Sequence, residues 1–424
     1  MEIITVKRGD TASSLARTYG VSLDALIADN GLPADGALVE GQAIVVRFPE
    51  RLYRASAALA VEDVAAETGV SAVSLYRRNI LLHGTPVVPA DTTLVLAYAE
   101  EPSDRRIIGG YAYPFIGETL LNTTTPFLTY LMPFTYGFKA DGTLVPLDDA
   151  RIVDAAFTYG ATPLMHLSTL SPGGYFDAGA AAELFADPLA VQTLYDNVLT
   201  VIDEKGYGGL DVDFEYLPKE AREPYVAFIA DLARRLNENG FILVTALPPK
   251  VSDGQPGLLY EGIDYAALGE VSNYAFVMTY EWGYRYGPPL PVAPLPSVRR
   301  VLDYAVSVIP REKVLLGLSN YGYDWTLPYV RGESDAPSLS TERALDLARA
   351  YSADVRFDEE AKAPYFTYTD RRGEEHIVWF EDARSFAAKL DLLREYDLAG
   401  AFIWDLMRRD PQAFVTIGGK VNVI

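Results

Sequence analysis

From residue 106 onward the chain repeats one pattern: a short apolar, aromatic-rich run, then a longer stretch of helical spacing, then the next run. The runs fall at residues 107–113 (IIGGYAY), 130–134 (YLMPF), 163–167 (PLMHL), 209–216 (GLDVDFEY), 242–247 (ILVTAL), 274–280 (YAFVMTY), 314–318 (VLLGL) and 401–404 (AFIW). Between several of them lie amphipathic segments. Residues 224–236, for example, put Val226, Ile229, Leu232 and Leu236 on one helical face. Strands that alternate with helices pair in parallel, because a parallel neighbour is reached only through a crossover of about a dozen residues or more. Eight such strands over roughly 320 residues predict an α/β chain closed into a (β/α)8 barrel, a fold of about 250 residues that stretches with insertions.

The spacing also locates an insertion. Runs seven and eight stand about 80 residues apart, against roughly 25–50 for most neighbours, so a small α+β insertion is expected at about residues 326–382 of the barrel part, 104–424. Within it, residues 365–368 (YFTY) and 377–380 (IVWF) flank Asp370-Arg371-Arg372-Gly373 as a hairpin, ahead of a helix over 383–396. Only residues 406–424 remain after run eight, which leaves little room for a last helix.

The first 98 residues read differently. Gly20-Val21-Ser22 and Asn30 are echoed by Gly69-Val70-Ser71 and Asn79, and Ala16 and Leu26 by Ala65 and Leu75, so two modules are expected, 1–48 and 49–98. In the first, residues 3–6 read as a strand, Gly9-Asp10-Thr11 as a turn and helix cap, and Ser22 to Asn30-Gly31 as a second short helix. Residues 43–46 form the closing strand, giving a βααβ unit.

Composition removes several chemistries. Lys plus Arg at 36 against Asp plus Glu at 58 leaves a net charge of −22, which repels phosphate backbones and anionic lipid, so no nucleic acid partner is expected. With no Cys and three scattered histidines, His83, His166 and His376, neither a thiolate site nor an H-x-x-x-H metal site is available; no metal and no cofactor are expected. The N-terminus, MEIITVKRGD, lacks the apolar stretch of about 7–15 residues that a secretory signal needs, and no window reaches about 18 apolar residues, so membrane insertion is not expected either. Carboxylates and aromatics are left to carry the chemistry.

They are concentrated in residues 208–216, GGLDVDFEY. On a strand, alternate side chains share a face, so Asp211, Asp213 and Glu215 line up on one side and Leu210, Val212 and Phe214 on the other. In a barrel strand packed under helices the acidic row points inward, where uncompensated charge is costly. Crowding raises the pKa of such carboxyls and keeps the outermost protonated as an acid. Carbons two apart on a strand are separated by about 6.6 Å, so Asp213 and Glu215 approach a substrate from one side and Asp213 cannot attack its opposite face. Chemistry then favours a substrate that supplies its own nucleophile: an acetamido oxygen that attacks C1 while Glu215 protonates the leaving oxygen and Asp213 orients the amide. Two other readings stand beside it, a two-carboxylate glycosidase using Glu281 or Asp405 and a non-catalytic glycan binder.

These residues resemble two known families. Residues 2–48 are similar to a LysM module, which recognises N-acetylglucosamine (GlcNAc) polymers; the resemblance implies a sugar groove between Gly9, Asp10, Thr11 and Asn30, Gly31, Leu32. The second copy departs from the pattern, with Ala58-Leu59-Ala60 for Gly-Asp-Thr and Ala90 for Gly41. Residues 106 to about 410 resemble glycoside hydrolase family 18, whose signature D-G-[LIV]-D-[LIV]-D-x-E is met at every position except the first, where Gly208 stands. That resemblance implies a TIM barrel with Glu215, Asp213, Asp211 and Tyr280 as catalytic residues. It implies Trp404 and Glu281 in the sugar site, and Tyr111, Tyr321, Tyr323, Asp324 and Trp325 as further cleft candidates. LysM modules ahead of this barrel resemble the spore cortex-lytic N-acetylglucosaminidases of endospore-forming bacteria. A monomer acting on peptidoglycan or another GlcNAc polymer is implied, associated with spore or cell wall without a classical signal peptide; chitin hydrolysis is the alternative. Removal of residues 1–98 is then expected to weaken wall binding more than turnover of small fragments.

Overall fold

The computed structural model describes residues 1–170 and 177–424. Its centre is a barrel of parallel strands, β1 (Arg105–Ala112), β2 (Tyr130–Pro133), β3 (Met165–Ser168), β4 (Gly209–Asp213), β5 (Ile242–Leu247), β6 (Tyr274–Val277), β7 (Val314–Ser319) and β8 (Gly400–Trp404). Except between β2 and β3, adjacent strands pair directly and in parallel, β8 closing onto β1. The ring is completed between β2 and β3 by the short strand Thr162–Pro163, which pairs with β2, and by a bridge from Tyr136 to Leu167. Crossover helices such as Arg222–Glu238, which buries Phe228, Ile229, Leu232 and Leu236, cover the outside.

Strands β4 and β6 stop earlier than their apolar runs suggest, at Asp213 and Val277. Their ladders run out: Asp213 is the last residue of β4 opposite β3, and Val212 the last opposite β5. The next residues turn outward, with Tyr216 and Glu281 both in the left-handed region at φ 58° and 68°. Such backbone costs about 1–3 kcal/mol in a non-glycine residue and persists only where surroundings over-determine it.

The helix for which little room was expected does form. Asp410 caps Pro411–Lys420 and proline occupies its first turn, so ten residues suffice; Asn422–Val423 then pairs with Arg105 and Arg106 of β1. The insertion after β7 is a five-stranded antiparallel sheet carrying helix Thr341–Ala350. It begins at once with Tyr321–Leu327, and the expected hairpin is Ala363–Thr369 against Glu375–Trp379.

Both N-terminal repeats hold two helices between paired outer strands, Glu2–Thr5 and Ala43–Val46 in the first and Pro49–Arg54 and Thr93–Tyr98 in the second, which adds the short pair Leu59–Ala60 and Val87–Val88 inside them. Their packing differs. The first keeps a small core of its own, including Val6, Leu15, Leu26, Leu32 and Ile44. The second shares a continuous core with the barrel through Val61, Val64, Leu75, Ile80 and Leu82. Arg77 reaches carbonyls of Pro126 and Val423, and Tyr159 donates to Gly84 O at 2.6 Å. The first repeat adds Ala43 and Val45 to the barrel's core and Val39 to that of the insertion, and docks through polar contacts as well. Gln412 Nε2 donates to Asn30 Oδ1 and Ala43 O at 2.9 Å, and Arg384 to Gly41 O. A Cβ on Gly41 would lie 1.8 Å from Val355 O. No helix among the described residues is long and apolar enough to cross a membrane.

Candidate active site

The outward face of β4 explains why its acidic face can exist. Phe214 packs under the helices, its ring 5.6 Å from Tyr225, 5.8 Å from Phe228 and 5.1 Å from Phe138. That apolar anchoring pins the register, so Asp211 and Asp213 face the barrel axis although both are buried. Tyr111, from β1, donates to Asp211 Oδ2 at 2.8 Å, while Asp211 Oδ1 and Asp213 Oδ1 have no partner among the described residues. Gly208 lies below this pair. A Cβ there would meet the Thr162 methyl at 2.3 Å, so the position is closed and contributes no acid.

Glu215 follows one step outward and lines a cleft of about 510 Å3, together with Asp213, Tyr280, Trp404, Tyr111 and Phe134. Burial raises the Asp211 pKa to about 7. Asp213 is pushed up by burial and then by the charge of Asp211; Glu215 is pushed up by burial and then by Asp213 and Glu281. The outer carboxyl therefore keeps a proton at neutral pH where an ordinary glutamate has lost it.

Trp404, half-buried at the end of β8, makes the floor, with Phe134 4.8 Å and Tyr111 5.5 Å away across the rings. Tyr280 lies beside it. Glu281 is fixed from behind: Tyr321 and Tyr323 donate to its Oε1 at 2.5 and 3.0 Å. Those two tyrosines are buried supports of Glu281 and do not line the cleft. Asp324 and Trp325 are occupied elsewhere. Asp324 receives Tyr368 and contacts His376 within the insertion, and Trp325 Nε1 donates to Gly287 O. Asp405 is held by Arg408 at 3.0 Å and by Met407 N–H.

In the first repeat Gly9, Asp10 and Thr11 form an accessible turn: Asp10 accepts from Lys7 N, Thr11 caps the first helix, and Gly9 sits at φ 91° with open space beside it. Asn30 is internal. Its amide donates to Leu26 O and Val45 O and accepts from Val45 N. Asn79 makes the same three bonds to Leu75 and Val95, so the repeated asparagine ties the second helix to the closing strand in both copies. Gly31 abuts the barrel, where a Cβ would lie 3.1 Å from Pro411, and Leu32 belongs to the module core. Across the turn from Ala12 it is Gly36 that approaches, so the loop over 33–36 borders the open side. In the second repeat the matching turn is zipped shut: Leu59–Ala60 pairs with Val87–Val88 and Val61 N–H bonds to Pro86 O.

Several lining residues escaped sequence reasoning, among them His166 on β3 and Phe134 beside it, Phe276 on β6, and Leu259, Tyr260 and Tyr284 from the loops above β5 and β6. Period-two alternation puts His166 and Ser168 on one face of β3, a signal that was present but carried no carboxylate to draw notice.

Comparison with known proteins agrees with this geometry. The family model "Glycosyl hydrolases family 18" matches residues 168–409 and the LysM domain model residues 4–47. The chain belongs to glycosyl hydrolase family 18. A cortical fragment-lytic enzyme of Bacillus cereus is 35% identical over 420 residues, spanning 97% of this chain and 96% of that protein. The crystal structure of the Bacillus cereus spore cortex-lytic enzyme SleL superposes with a TM-score of 0.84 at 32% identity, covering 100% of this chain and 98% of that one. A chitinase from Chromobacterium violaceum matches 74% of this chain and 98% of its own, at 25% identity and a TM-score of 0.69. This family 18 chain is thus a glycoside hydrolase on a TIM barrel with a LysM module at its N-terminus, and both parts are of kinds that bind GlcNAc polymers.

Proposed function

We propose that this protein is an N-acetylglucosaminidase that cleaves the β-1,4 bond after GlcNAc in spore cortex peptidoglycan, with retention and with help from the substrate. The observation that carries the reading is the Glu215 carboxyl, raised in proton affinity and lining the cleft directly outward of Asp213. Similarity to cortical fragment-lytic enzymes over both the repeats and the barrel supports the substrate.

In this reading the GlcNAc ring stacks on Trp404 and its acetamido group enters between Asp213 and Tyr280. The acetamido oxygen attacks C1, the C1–O bond breaks, and Glu215 passes its proton to the leaving oxygen. Asp213 holds the amide N–H while the oxazolinium ring forms. Glu215, now ionised, takes a proton from the water that opens this ring, and configuration at C1 is retained. The two-carboxylate alternative needs a free partner, and its candidates are engaged, Glu281 by two tyrosines and Asp405 by Arg408. The first repeat grips the polymer through its turn at Gly9–Thr11, and the second serves as a structural collar. Such a protein works at the spore or cell wall.

The test is the new reducing end released from purified cortex. GlcNAc at that end, lost in Glu215→Gln, is expected; muramic acid there, or unchanged release by the variant, overturns the proposal.

A further inference from the structure

In the insertion after β7, Asp370, Glu374 and His376 each bring one ligand atom to within 4.8 Å of the other two. Their placement follows from the hairpin. Tyr368 faces His376 across the two strands and Thr369 faces Glu375, so Asp370 and Glu374, next toward the turn, return to the face that His376 occupies. Asp370 Oδ1 accepts the N–H groups of Arg372 and Glu374 at 2.8 and 2.9 Å, which leaves Oδ2 for another partner.

The imidazole is fixed from behind. Asp324, 8% exposed on strand Tyr321–Leu327, takes the Tyr368 hydroxyl on Oδ2 at 2.6 Å and His376 Nδ1 on Oδ1 at 2.9 Å. A carboxylate oxygen only accepts, so Nδ1 carries a proton toward Asp324 and the lone pair of the neutral ring is on Nε2. That nitrogen is buried and has no hydrogen-bond partner among the described residues. The ring is not free to swing toward one, because it stacks on Tyr368 at 4.5 Å and Tyr368 stacks on Tyr351 at 4.5 Å. Nearby ion pairs, Lys362 with Glu359 and Arg349 with Asp346, are made without Asp370 or Glu374. A buried lone pair beside two carboxylates is a set of acceptors without a donor, costly by itself and favourable once a cation lies among them. A carboxylate that holds one imidazole nitrogen so that the other can ligate is also the usual outer shell of a metal-bound histidine.

We propose that Asp370, Glu374 and His376 bind a divalent transition-metal ion, Zn2+ in particular, with Asp324 orienting the imidazole and water completing the coordination. One nitrogen and two carboxylate oxygens suit zinc, whereas Ca2+ and Mg2+ favour oxygen ligands throughout. Four-coordinate zinc at about 2.0–2.2 Å from each ligand sets the ligand atoms about 3.4 Å apart, so the three close in by no more than about 1.4 Å. Glu374 is exposed and Asp370 half-buried, which leaves their side chains room to do so. The ion ties the hairpin tip, through His376 and Asp324, to the strand that opens the insertion. None of its ligands lines the catalytic cleft.

Full-length protein stripped of metal by a chelator is titrated with Zn2+ in a calorimeter, beside Glu374→Gln and Asp370→Asn. Both replacements lie at the turn, and Asn keeps an oxygen for the N–H groups of Arg372 and Glu374, so the fold is retained. Wild type should bind one Zn2+ per chain with a micromolar Kd, each variant should weaken that binding about tenfold or more, and Ca2+ should bind more weakly than Zn2+. In imidazole 15N spectra Nε2 of His376, assigned with His376→Gln, should be unprotonated at neutral pH and shift on addition of Zn2+, while the signals of His83 and His166 stay in place. Four results overturn the proposal: no Zn2+ bound at about 100 µM; binding unchanged in both variants, which puts the ion elsewhere; Ca2+ held more tightly than Zn2+; or a doubly protonated His376, an ion-paired imidazolium in place of a ligand. These readouts need no substrate, so they stand apart from the cortex reading.

Discussion

Asp211→Asn should make the protein more resistant to heat at alkaline pH. In the fold this carboxyl has its pKa raised from 3.8 to about 7 by burial, with one oxygen left without a partner. A group whose folded pKa is raised adds stability that is fully present below its unfolded value and lost as pH climbs through the folded one. Wild type therefore loses stability between about pH 4 and pH 7 on this account. Three units at about 1.36 kcal/mol each set the loss at about 4 kcal/mol by pH 8, an upper limit because Asp213 shares the proton. With an unfolding entropy of about 2.1 cal/mol/K per residue, that corresponds to about 4 °C for a chain of this length. Module two and the barrel share one core, so calorimetry should show them melting together. The Tm of the variant minus that of wild type should grow by about 4 °C from pH 4.5 to pH 8, while turnover falls. A difference that is constant with pH would show that Asp211 is not held against its charge, and the reasoning about the acidic row would fail with it.

Glu215→Gln should lower kcat by about a thousandfold, within the range ordinary for a general acid, while fragment binding persists in calorimetric titration. Asn30→Ala and Asn79→Ala each remove a buried amide that satisfies one N–H and two carbonyls, and each should cost about 2–3 kcal/mol in denaturant unfolding. In NMR titration with a GlcNAc oligomer, amides of Gly9–Thr11 should shift and those of Leu59–Ala60 should not, because backbone pairing closes the second groove. Deletion of residues 1–98 should yield aggregated protein, since it bares the barrel surface that buries Leu75, Ile80 and Leu82, side chains worth about 1.5–3 kcal/mol each; a soluble, active barrel would refute the shared core.

Much of this molecule is legible in its residues one stretch at a time. The alternation of Asp211, Asp213 and Glu215 against Leu210, Val212 and Phe214 assigns two faces with no structure in hand, because side-chain direction on a strand is a local property. The spacing of eight apolar runs gives the barrel, and the offset of Asn30 and Asn79 gives the repeat, for the same reason. What the order of residues could not disclose depends on groups far apart in the chain. Tyr321 and Tyr323 serve behind Glu281, His166 lies beside Asp211, and Asn30 turns inward to Val45 and Gln412, all through contacts that exist only once distant segments are packed. The second repeat makes the point most plainly. Its sequence keeps the helices and loses Gly-Asp-Thr, yet only the packed molecule reveals that its groove is sewn shut and its core merged with the barrel's. Local pattern chooses the element and the face it presents; which partner that face meets is decided by close packing of the whole, where each buried group must find its complement at once.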